Sequence, residues 1–89
     1  MKIIYKNLYN QDINFELEGN EVKVTNIESP LRINWNIFGT KIDSIGPPGG
    51  PWLHLGMRLG ILDTSLGNKI IDEIRIEEDC IILGVSDRK

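Results

Sequence analysis

The chain has no alanine, one cysteine and one histidine among its 89 residues. Each shortage excludes something. Alanine is the best helix former. Its absence beside fifteen Ile, nine Leu and three Val argues against an all-α bundle, because Ile is β-branched, stiff at χ1 and suited to a pleated surface. One cysteine, Cys80, cannot close an intrachain disulfide, so a reducing compartment is the natural reading and a cytoplasmic location the expectation. One His and one Cys cannot complete a zinc sphere, and Glu77-Glu78-Asp79 lacks the spacing and glycine of a calcium loop. No metal or other cofactor is expected. No apolar run approaches the roughly 18 residues of a membrane span. The N-terminal MKIIYKNLYNQ, with a short apolar run and no small-residue cleavage site, does not read as a signal peptide. A formal charge of −3 argues against non-specific nucleic-acid binding, which needs a basic surface.

What is present points one way. Residues that are 40% hydrophobic and evenly spread exclude disorder. Nine Gly and eight Asn supply the turns that many short strands need. The length suits one domain, residues 1–89, with a modest core that association would reinforce. Richness in Ile, Asn and Lys without Ala resembles AT-rich coding, as in a low-GC bacterium or its phage.

Apolar residues alternate along much of the chain. Residues 2–9 read as a first strand, with Ile3 and Tyr5 on one face. Residues 12–18 and 21–27 alternate on either side of Gly19-Asn20, the signature of a β-hairpin with a II′-type turn, with Val22 and Val24 inward. After a loop at Glu28-Ser29-Pro30, residues 31–37 alternate strictly. Leu31, Ile33, Trp35 and Ile37 share a face expected to be core, and Arg32, Asn34 and Asn36 form a polar ladder opposite. Phe38-Gly39-Thr40 reads as a turn or bulge before a short strand at 41–45. Gly46-Pro47-Pro48-Gly49-Gly50-Pro51 is a shaped loop, since three prolines remove three ladder donors. Residues 52–59 alternate again, and 69–76 with 80–85 read as a closing hairpin around 77–79. Leu66, Ile70, Ile71 and Ile74 also fit a short helix within 64–75, with Thr64 or Ser65 as cap. Gly67 and the β-branched second half favour strand.

The expected fold is therefore all-β: a small antiparallel barrel or sandwich of six to eight short strands, with one short helix near 64–75 as the alternative. Strand edges and the density of Ile make a homo-oligomer the expectation.

Candidate functional residues gather in 46–60. Trp52, His54 and Arg58 fall on the polar side of one alternating run, just after Gly49 and Gly50. Trp can stack on a planar ligand, His can donate or accept a hydrogen bond, and Arg can grip a phosphate or carboxylate. The same residues also fit the outer face of an amphipathic strand. The glycines do not form a phosphate loop: no GxxxxGK[ST] occurs, and three of the six positions lack an N–H. Cys80 lies among acids and Ile, which suits a buried, inert thiol better than a nucleophile. Glu16 and Glu18 read as surface carboxylates.

Three functions fit. The first is a non-catalytic binding module acting by protein–protein interaction, a small inhibitor or adaptor working through a sheet face or edge. The second is a homo-oligomeric binder of a nucleotide-like small anion at Trp52, His54 and Arg58. The third, an enzyme, is the least supported, because no catalytic constellation has enough members.

Overall fold

A computed structural model describes residues 1–27, 30–47 and 51–87. Eight strands follow in order: β1 (Lys2–Lys6), β2 (Asp12–Glu18), β3 (Glu21–Thr25), β4 (Arg32–Trp35), β5 (Ile42–Gly46), β6 (Leu53–His54), β7 (Lys69–Ile76) and β8 (Ile81–Asp87). They form two antiparallel sheets. One has five strands in the order β1-β2-β3-β8-β7, and the other has three in the order β4-β5-β6. The fold is thus all-β, as expected, and the sheets do not close into a barrel.

The β2–β3 hairpin forms where the alternation placed it. Glu18 pairs with Glu21 around Gly19-Asn20, and Gly19 has φ +59° while Asn20 stays at negative φ, the II′ geometry. Ile13, Phe15, Val22 and Val24 are almost fully buried. The β7–β8 hairpin supplies Ile71, Ile74, Ile81, Leu83 and Val85 to the same layer, and Ile45, Leu53 and Leu59 cover it from the other side. Burying each such side chain contributes about 1.5–3 kcal/mol before the entropy of ordering is subtracted. Tyr5 meets Phe15 edge-on, with ring centroids 6.4 Å apart.

Two local expectations change, and the helical alternative at 64–75 falls away in favour of the strand reading. The first strand stops at Lys6, because Asn7 turns the chain. Its Oδ1 accepts from the N–H groups of Tyr9 and Gln11, both at 2.9 Å. Residues 52–59 are not one strand. β6 ends at His54, where Met57 N–H donates to the His54 carbonyl at 3.1 Å and Gly56 takes φ +84°, a turn whose third position needs glycine. The segment 64–75 is not a helix. Two single 3₁₀ turns, Leu59–Ile61 and Thr64–Leu66, precede β7. Asp63, rather than Thr64 or Ser65, caps the second turn. Its carboxylate accepts from both the Oγ and the N–H of Ser65, which holds it below the usual carboxylate range.

After the Gly56 turn the chain rejoins the first sheet. Gly56 N–H donates to the Ile71 carbonyl at 2.8 Å and Ile71 N–H donates to the Met57 carbonyl at 3.0 Å, and Arg58 bridges Ile70. These bonds cover the outer edge of β7 at its beginning. β5 packs against β7, and β4 lies on the far side of β5 from β6.

The two 3₁₀ turns touch through glycine: a Cβ at Gly60 would overlap the Gly67 carbonyl oxygen. We expect Gly60→Ala to destabilise the fold by roughly 1–3 kcal/mol, the usual cost of overpacking. Urea unfolding followed by circular dichroism checks this, and an unchanged midpoint would contradict the close approach.

Candidate functional site

The residues singled out in 46–60 are dispersed. Gly49 and Gly50 lie outside the described residues. Trp52 is about half exposed and lies flat over Gly46, where any Cβ would overlap its indole. With Pro30, Arg32 and Pro47 it lines a shallow depression of about 250 Å³. His54 is exposed on β6, its Nδ1 3.1 Å from the Leu55 carbonyl oxygen. Arg58 is exposed beyond the Gly56 turn. That turn breaks the alternation on which a shared face depended. The depression beside Trp52 includes neither His54 nor Arg58 and gains Arg32 instead.

A different group comes together on the β4–β5 hairpin. Ile33 and Trp35 share a face with Ile45 and Ile42, their cross-strand partners. The expected face is therefore correct, but its burial is not. Ile42 and Ile45 are buried, whereas Ile33 is 36% and Trp35 54% exposed. β5, not β4, packs on β7, so the apolar face of β4 is left largely uncovered. At the hairpin tip, Asn36 builds the turn. Gly39 N–H donates to its carbonyl at 3.0 Å, and its side chain receives Thr40 N–H at 2.9 Å and donates to Thr40 Oγ1 at 3.1 Å. Gly39 takes φ +67°. Ile37 and Phe38 occupy the two central positions and are 92% and 82% exposed. An apolar pair framed by Asn and Gly was the available signal, since turn centres are ordinarily polar.

Beside the hairpin runs a groove of about 380 Å³, between Trp35, Thr40, Lys41 and Ile42 on one side and Glu73 to Glu77 of the β7 end on the other, with Leu55 at its floor. Arg75 is tied to Glu73 (2.9 Å) and to Glu21. Backbone polar groups are open on both flanks. Glu77 N–H donates to the Cys80 carbonyl at 2.9 Å. Antiparallel alternation then turns Arg75 and Glu73 toward β8, and the N–H and C=O of Ile74 and Ile76 outward. On β4, Asn36 N–H donates to the Lys41 carbonyl at 2.8 Å, so Arg32 and Asn34 face β5 while Ile33 and Trp35 present their backbone at the edge.

Among the described residues no cluster of three or more His, Cys, Asp or Glu could hold a metal, and no helix is long and apolar enough to cross a membrane. Cys80 is a buried free thiol. Burial pushes its pKa up; Lys23 opposes this, and Asp79 and Glu77 reinforce it.

The fold and this surface define a small all-β domain with an unprotected apolar edge. Comparison of the chain with protein-family models, curated proteins and solved structures finds no match.

Two outcomes test these placements. Gly46→Ala, made with Trp35→Phe so that Trp52 reports alone, should shift the tryptophan emission to the red as the indole is lifted into water. An unchanged spectrum would contradict the stacking. Alkylation of Cys80 by iodoacetamide should stay slow in the native protein through pH 8.5, where an ordinary thiol is half ionised, and become fast in urea. Equal native and unfolded rates would contradict its burial.

Proposed function

We propose that the chain is a non-catalytic binding module acting by protein–protein contact through the β4–β5 hairpin and the groove beside it. The observation that carries this is the contiguous exposure of Ile33, Trp35, Ile37 and Phe38 on one hairpin. Large apolar side chains grouped at a surface cost free energy while they face water, and such patches mark interaction sites. Trp and Phe are favoured interface anchors, and Arg32 and Lys41 give this patch a cationic rim. The open backbone of β4 and β7 adds a means of recognition independent of side chains, the addition of an extended strand. A reducing, cytoplasmic setting suits the buried free thiol of Cys80.

One observation favours a second reading. Trp52 and Arg32 line the same depression, a pairing suited to stacking and charging a planar anion such as a nucleotide. His54 and Arg58 would then have to come from a second subunit.

The test replaces Ile37 and Phe38 with Ser. Both are so exposed that unfolding should be nearly unchanged, while association with whatever protein the wild type binds, including itself, should weaken about 10-fold or more, as when an anchor residue is truncated. Unaltered association would refute the reading. A thermal shift with nucleotides that disappears in Arg32→Ala would transfer the function to the Trp52 depression.

A further inference from the structure

We infer that the partner seated in the groove is a second copy of this chain, whose β4 pairs with the free half of β7 while its own β7 receives β4 in return. This rests on the protein-contact reading above and names the partner.

Geometry comes first. Among the described residues, two strand edges with open backbone groups, β4 and the end of β7, flank one groove. Their lengths match. β7 is covered at Ile70 and Ile71 and offers outward backbone at Ile74 and Ile76; β4 offers it at Ile33 and Trp35. Pairing β7 of one copy with β4 of the other joins each five-stranded sheet to the partner's three-stranded sheet. The apolar faces then coincide. Ile74 and Ile76 lie on one face of β7, and a β4 added beside them turns its Ile33 and Trp35 to that face, against the exposed Ile33 and Trp35 of the receiving copy. The apolar face that one chain leaves exposed is covered by the same face of the other.

Charge selects the second copy over an arbitrary apolar strand. Residues 31–41 carry Arg32 and Lys41 and no acid, whereas residues 72–79 carry Asp72, Glu73, Glu77, Glu78 and Asp79 against Arg75 alone. The hairpin of one copy is thus complementary to the strand it would meet on the other. Area is also adequate: the exposed parts of Ile33, Trp35, Ile37 and Phe38 amount to roughly 500 Å² per copy, towards the about 800 Å² per partner of a standard interface. The contrast with β1, the outer strand at the opposite end of the five-stranded sheet, supports this. Its exposed Lys2 and Lys6 are the charges that keep an edge from pairing, and β4 has no such pair.

The test is light scattering over a concentration series. The wild type should show a reversible mass of two chains. Trp35→Ser should be monomeric. Arg32→Glu with Lys41→Glu should be monomeric, since an acidic hairpin then meets an acidic strand, and Glu77→Lys with Glu78→Lys and Asp79→Lys, which makes residues 72–79 net basic, should be monomeric for the opposite reason. Mixing these two charge variants one to one should restore the dimer, because each hairpin then faces a strand of opposite sign. Circular dichroism confirms that each variant is folded. A dimer that survives Trp35→Ser, or a mixture that fails to associate, would overturn the reciprocal pairing. A wild type that stays monomeric also overturns it. If Ile37→Ser with Phe38→Ser still abolishes binding to a different protein, only the second-copy partner is lost; if it does not, the protein-contact reading fails as well.

Discussion

Two hydrogen bonds hold the second sheet to the first. Gly56 N–H reaches the Ile71 carbonyl and Ile71 N–H reaches the Met57 carbonyl. They are possible because Gly56 adopts a positive φ, which turns the chain out of β6 and back onto the edge of β7. That stitch places β5 over β7 and brings Ile42, Ile45, Leu53 and Leu59 into the core. It also sets the limit of cover. β5 is the strand of the smaller sheet that packs on β7, and β4, on the far side of β5 from β6, lies outside that contact. The exposed face of Ile33 and Trp35 and the groove beside it follow from that arrangement.

The edges of the molecule are treated unequally. β1 is an outer strand that carries Lys2 and Lys6, β6 is only two residues long, and β7 is covered at one end by residues 56–58. Short length, charge and covering are each ways of keeping a strand edge from pairing. β4 has none of them beyond Arg32, and the hairpin tip it leads into carries Ile37, the most exposed large apolar residue among those described. The open edge of β4, together with the open end of β7, is the feature on which the proposed interaction rests.

Much of this was legible in the residues. The β2–β3 hairpin, its turn type, the closing β7–β8 hairpin and the burial of Cys80 follow from alternation, turn chemistry and local charge. The face of β4 was legible too, since Ile33 and Trp35 do lie on the side of Ile45 and Ile42. Its burial was not, because a period of two assigns residues to a face without saying whether another layer covers that face. For the same reason Trp52, His54 and Arg58 looked adjacent. The alternation persists through Leu53, Leu55, Met57 and Leu59, three of which are buried, yet the backbone turns at Gly56 and separates the polar set.

Local rules therefore determined the strand content, the hairpins and the class of fold. They act over a few residues, through Ile at χ1, through glycine at positive φ and through the missing donors of proline. Only the tertiary structure decided which apolar residues are core and which are surface. That depends on how the two sheets meet, through contacts between residues 56–58 and 70–71 and the packing of β5 on β7, and no periodicity within one strand encodes it.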